Sequence, residues 1–125
     1  MKALFIQFLT LVLIISSCEK VNKSNSDNTT LDYEISINDT FHIDLISNPS
    51  TGYSWAWTNK QLVSIVDTID HSFVPDTPIL VGSGGKEIWK FTGIKSGIDS
   101  IKLEYCRLWE SNSTTDSKII IVKVN

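Results

Sequence analysis

Apolar and polar residues alternate one by one through several short stretches of this chain. Tyr33, Ile35 and Ile37 alternate with Glu34, Ser36 and Asn38. Phe41, Ile43 and Leu45 alternate with His42 and Asp44, and Ile101, Leu103 and Tyr105 with Lys102 and Glu104. A period of two puts successive side chains on opposite faces, so these runs predict β-strands with one buried face. Trp55 and Trp57 share a face in the run Tyr53 to Trp57, and Trp89 and Phe91 share one further on. The last run is apolar on both faces, Ile120, Val122 and Val124 on one side, Ile119 and Ile121 on the other. No stretch carries a helical period. Asn38-Asp39, Gly93 to Gly97 and Asn112 to Thr115 read as turns or loops. About seven to eight short strands between Leu31 and Asn125 predict an all-β, immunoglobulin-like antiparallel β-sandwich.

In an up-and-down run of antiparallel strands, alternate connections fall at the same end. The segment after Ser47, the glycine-rich segment around Gly82 and the segment from Arg107 to Asp116 are therefore expected at one tip, with the Gly93 turn at the other. Loops gathered at one end are how immunoglobulin domains present a binding surface.

The first of these loops, Asn48-Pro49-Ser50-Thr51-Gly52-Tyr53, combines residues that make it stiff and narrow. Pro49 sets its own φ and restricts Asn48. The Asn48 side chain is suited to accept from the backbone two residues on, as an Asx turn. Gly52 permits a positive φ. Ser50 and Thr51 at the tip carry only short side chains, so the loop loses little entropy on entering a cleft. Taken alone, the hexapeptide reads as an ordinary turn, since Asn, Pro, Ser and Gly are standard turn residues.

Two further segments change that balance. They are Gly82-Ser83-Gly84-Gly85, and Arg107-Leu108-Trp109-Glu110. Together, in this order and at this spacing, the three segments resemble the loop motifs of the chagasin family of papain-like cysteine protease inhibitors. The resemblance runs from about Leu31 to Asn125. It implies a reversible inhibitor, not an enzyme, in which the Asn48 loop fills the catalytic cleft and the other two loops grip its rims. The protease-binding residues implied are Asn48, Pro49, Ser50, Thr51, Gly52, Tyr53, Gly82, Ser83, Gly84, Gly85, Arg107, Leu108, Trp109 and Glu110. Ser50 stands where the family commonly has Thr. Leu108 stands where its third motif usually has Pro, which implies a less rigid third loop.

The N-terminal segment reads separately from the fold. Lys2 precedes an almost wholly apolar run from Ala3 to Ile15, too short to span a bilayer comfortably. Ser16 and Ser17 lead into Cys18, the pattern of a secretory signal peptide, and Ile15-Ser16-Ser17-Cys18 resembles a bacterial lipobox, the alternative being a simple cleaved signal peptide with an incidental Cys. The expected organisation is a signal peptide over 1–17, a tether over 18–30 and the inhibitor domain over 31–125. Cys18 would be lipidated and anchor an exported protein to the cell envelope, on its periplasmic or outer side. Removing Lys2 takes the net charge from −3 to −4. Glu19 to Thr30 has only Val21 as an apolar residue and reads as a disordered linker with an end-to-end distance of about 20 Å.

Composition narrows the alternatives. A net charge of −3 argues against a partner bound through phosphates, so no nucleic acid is expected. Cys18 and Cys106 are the only cysteines, and a lipidated Cys18 leaves Cys106 without a disulfide partner. A nucleophilic Cys106 would need a histidine base, and His42 and His71, the only histidines, show neither metal-ligand spacing nor an acidic partner pattern. No cofactor or metal is expected. Gly82 to Lys86 lacks the spacing of a phosphate loop, because Glu87 follows the lysine where Ser or Thr is required. Trp109 either continues the inward parity of Tyr105 or stands at the tip. The expected partners are a papain-like cysteine protease and, through the lipid, a membrane, with the free inhibitor a monomer. The alternatives are a lipid-anchored binding module of the same fold, for a surface protein or glycan, and an enzyme built on Cys106.

Overall fold

The computed structural model describes residues 30–125. The expected signal peptide, the lipidation site Cys18 and the tether up to Thr29 lie outside the described residues. Seven strands form: β1 (Tyr33–Ile35), β2 (Thr40–Ser47), β3 (Ser54–Trp57), β4 (Val66–Pro75), β5 (Gly85–Gly93), β6 (Gly97–Cys106) and β7 (Asp116–Val124), with short 3-10 turns at Pro49–Thr51 and Lys60–Leu62. They make a four-stranded sheet in the order β1-β7-β6-β3 and a three-stranded sheet in the order β2-β5-β4.

The alternation along β2 becomes a strict inside–outside pattern. Phe41, Ile43, Leu45 and Ser47 are buried, while Thr40, His42, Asp44 and Ile46 are exposed. β5 of the same sheet adds Trp89 and Phe91, and the facing sheet adds Trp55, Ile101, Leu103, Val122 and Val124. Phe91 stacks on Phe41 with ring centroids 5.3 Å apart and takes the edge of Trp57 at the same separation. Burying such side chains contributes about 1.5–3 kcal/mol each, which holds the sheets face to face.

Two expectations change. The sandwich is not wholly antiparallel, because β1 pairs with β7 in parallel. β1 and β7 both run away from the end that carries the Asn48 loop, and they lie side by side. β1 also ends at Ile35, so Ile37 does not share the buried face of Tyr33 and is 45% exposed. The chain reverses there through Asn38 at φ 73°, with the Ser36 amide donating to Asp39 Oδ2 at 3.0 Å.

The connections β2–β3, β4–β5 and β6–β7 all emerge at one end. The chain changes sheet at β1–β2, β2–β3, β3–β4 and β5–β6 and stays within one sheet at β4–β5 and β6–β7, yet each connection reverses direction, so the expected clustering of alternate loops holds.

Candidate functional site

The first loop folds as its residues require. Pro49–Thr51 form a 3-10 turn that Asn48 caps, its Oδ1 accepting from the Ser50 amide at 3.2 Å. The Gly52 amide closes the turn onto the Pro49 carbonyl at 2.9 Å, with Gly52 itself at φ 82°. The hydroxyls of the tip turn back rather than outward. Thr51 Oγ1 donates to the Asn48 carbonyl at 2.6 Å, and Ser50 Oγ to Asn48 Oδ1. The exposed tip is therefore slim, with its polar groups already paired among themselves.

Both other loops touch this one. Asn48 Nδ2 donates to the Gly82 carbonyl at 3.0 Å. Arg107 Nη2 donates to the Thr51 carbonyl at 3.4 Å, and its guanidinium lies 4.6 Å from the centre of the Tyr53 ring. The Asn48 amide donates to Tyr105 Oη at 2.8 Å, so the root of the loop is tied to the end of β6. The three sequence-predicted segments thus form one continuous surface.

In the second loop the glycines have different tasks. Leu80–Ser83 is a turn closed by the Ser83 amide on the Leu80 carbonyl at 3.1 Å, with Gly82 at φ 77° and open space beside its Cα. A Cβ on Gly84 would stand 2.8 Å from the Ser47 carbonyl oxygen, and one on Gly85 would collide with the Val74 carbonyl and the Phe73 ring. Gly85 is buried, so its bare face serves the hairpin's own packing and not an outer surface.

The third loop turns tightly despite having Leu108 in place of Pro. The Glu110 amide donates to the Arg107 carbonyl at 3.0 Å, and Arg107 Nη1 pairs with Glu110 Oε2 at 3.3 Å. Ser113 Oγ donates to the Glu110 carbonyl at 2.8 Å and accepts from the Arg107 amide at 2.9 Å. These bonds supply stiffness that the missing Pro would otherwise give. Trp109 does not continue the inward parity of Tyr105: it stands at the tip, 75% exposed. Leu108, also exposed, borders a cavity of about 330 Å³ walled by Trp55, Trp57, His71 and Trp89.

The histidines are a correction. His71 Nε2 lies 2.8 Å from Glu87 Oε2, and His42 Nε2 lies 3.8 Å from Asp44 Oδ1. The acidic partner of His71 escaped sequence reading because β4 and β5 bring residues sixteen apart together. Cys106 is a half-buried free thiol at the end of β6.

A family model described as chagasin family peptidase inhibitor I42 matches residues 34–124. The chain is 33% identical over 101 residues to Amoebiasin-1 of Entamoeba histolytica, covering 81% of this chain and 93% of that protein. It is 26% identical over 105 residues to Chagasin of Trypanosoma cruzi, covering 82% and 93%. Its fold is similar to the crystal structure of the cysteine protease inhibitor EhICP2 from Entamoeba histolytica, with a TM-score of 0.57 at 23% identity, covering 77% of this chain and all of that one.

Proposed function

The chain belongs to the chagasin family of peptidase inhibitors, and from that premise we propose that it inhibits papain-like cysteine proteases reversibly. Asn48 to Tyr53 would enter the catalytic cleft, while the Gly82 to Gly85 and Arg107 to Glu110 segments rest on its two rims. The observation that carries this reading is the joining of all three segments at one end, through Asn48 to Gly82 and Arg107 to Thr51. A slim first loop whose polar groups are already paired has little entropy left to lose on binding. Inhibition is by occlusion, and no covalent step is involved. The cysteine-protease target is supported by the motif resemblance and by the use of this fold in an inhibitor of that class.

Titrating papain with the protein tests the reading. A preorganised inhibitor with an interface of standard size is expected to bind at about nanomolar Kd. Full papain activity at micromolar inhibitor would sink it. Rapid cutting between Asn48 and Tyr53 would mark the loop as a substrate.

We further propose that Cys18 carries a lipid that anchors the exported protein to a cell envelope. The support is the Ile15-Ser16-Ser17-Cys18 ending of the apolar run. Mass spectrometry of the native N-terminal peptide is expected to show diacylglycerol on Cys18, and an unmodified terminus at another residue would refute it. We also propose that the lipid-free protein is a monomer, which light scattering checks directly.

A further inference from the structure

Glu87 is the one buried charged side chain among the described residues, 3% exposed in the interior of the sandwich. It occupies an inward position of β5, between Gly85 and Trp89. A carboxylate there is unfavourable unless every oxygen is paired. Its Oε1 accepts from Ser47 Oγ at 2.6 Å. Both oxygens lie 3.2 Å from the Trp55 amide, and Oε2 lies 2.8 Å from His71 Nε2.

The positions of these partners give the arrangement its meaning. Ser47 is the last residue of β2, in the three-stranded sheet, and Trp55 is the second residue of β3, in the four-stranded sheet. The first loop is the crossing between them. Since β3 is an edge strand, the Trp55 amide depends on a partner from outside its own sheet, and Glu87 supplies it. One carboxylate therefore holds both feet of the loop. On the β6 side the loop's root packs through Tyr53 and Trp55 against Tyr105, whereas Pro49, Ser54, His71, Phe73 and Glu87 line an open pocket of about 270 Å³. His71 completes the pairing and is fixed in turn by stacking on Trp89 at 3.9 Å between ring centres.

We propose that Glu87 is the positioning residue of the first loop, holding Ser47 and Trp55 in register so that Asn48 to Tyr53 stands ready for binding, with His71 as its counter-group. This rests on the inhibitory reading of that loop. Loss of the carboxylate lowers the fraction of molecules in the competent loop geometry, and apparent affinity falls by that fraction.

The test uses the full chain with Glu87→Gln and Ser47→Ala, comparing amide hydrogen exchange, melting temperature and the rate constants for papain binding. Glu87→Gln keeps the side chain's shape but loses the charge-assisted bonds. It is expected to speed exchange across Asn48 to Tyr53, leave β6 amides protected, and weaken papain binding by roughly 10- to 100-fold, mainly through slower association. Ser47→Ala, which removes a single bond, is expected to act in the same direction by roughly 3- to 10-fold. Unchanged loop exchange in a folded Glu87→Gln protein overturns the proposal. So does exchange that rises equally in the loop and in β6, since that marks a purely structural role. If Glu87→Gln does not fold, Ser47→Ala decides by the same criteria. Should the unaltered protein fail to inhibit papain, the inhibitory reading falls, while the exchange measurement still decides whether Glu87 positions the loop.

Discussion

Trp109 lies across Gly52. A Cβ placed on Gly52 would stand 2.7 Å from Trp109 Cη2, closer than carbon atoms approach, and a tight 3.1 Å from Cζ2. Glycine is favoured at this position by its φ of 82°, and any side chain there must also push the exposed indole of another loop aside. Gly52→Ala is expected to cost about 1–3 kcal/mol of stability through backbone strain and to displace Trp109 from its place. Urea unfolding and papain titration of the variant check both effects, and an unchanged unfolding midpoint would count against the strain argument.

Trp109 itself carries little of the fold. It is 75% exposed, so Trp109→Ala is expected to change stability by no more than about 0.5 kcal/mol. As an aromatic anchor in the proposed interface it is expected to weaken papain binding by about 1–3 kcal/mol. A large loss of melting temperature with full inhibition by the folded fraction would remove Trp109 from the site.

Leu108 occupies the second position of the turn closed between Arg107 and Glu110. Pro is favoured at that position because its fixed φ suits the turn. Leu108→Pro is expected to stabilise the protein by about 0.4–1 kcal/mol by restricting the unfolded chain. Papain dissociation should be as slow as before or slower. A lowered melting temperature would show that the turn needs a backbone geometry Pro cannot take.

Glu34 links β1 to the end of the chain. Its carboxylate accepts from Lys123 Nζ at 2.7 Å and from Asn125 Nδ2 at 3.1 Å, which holds its pKa below the ordinary 4.5. A carboxyl group depressed in the folded state contributes stability above its unfolded pKa and loses it as pH falls through the folded value. The stability difference between the unaltered protein and Glu34→Gln is therefore expected to be constant near neutrality and to shrink below pH 4.5. Urea midpoints of both proteins between pH 7 and pH 3, roughly the range over which carboxyl groups titrate, check this. A difference independent of pH would sink it.

Much of the sandwich is legible along the chain because burial on one face leaves a direct trace. Phe41, Ile43 and Leu45 mark β2 with its observed limits, and Ile101 and Leu103 mark the core of β6. β4 leaves no such trace. It is an edge strand with Val66 as its only buried side chain and a bulge between Thr68 and Asp70, so its residues follow no regular alternation. The first loop is legible for a different reason. Its conformation is set by local chemistry, and the Asn48 cap and the positive φ at Gly52 need only residues within the loop itself.

Features with a local cause are legible along the chain: the alternating strands, the Asn48 turn and, through strand reversal, the placing of alternate loops at one end. Features that depend on residues distant in the chain arise only once the sandwich closes. The parallel pairing of β1 with β7 joins segments nearly ninety residues apart. Trp109 stands at the tip with its ring across Gly52, a contact that exists only when two loops meet. Along the chain Glu87 is only the residue that follows Lys86 and rules out a phosphate loop, and the closed sandwich alone brings it Ser47, Trp55 and His71. The physical reason is common to all three. Alternation and turn chemistry act between neighbours in sequence, whereas burying a charge or seating an indole requires partners that folding must first bring together.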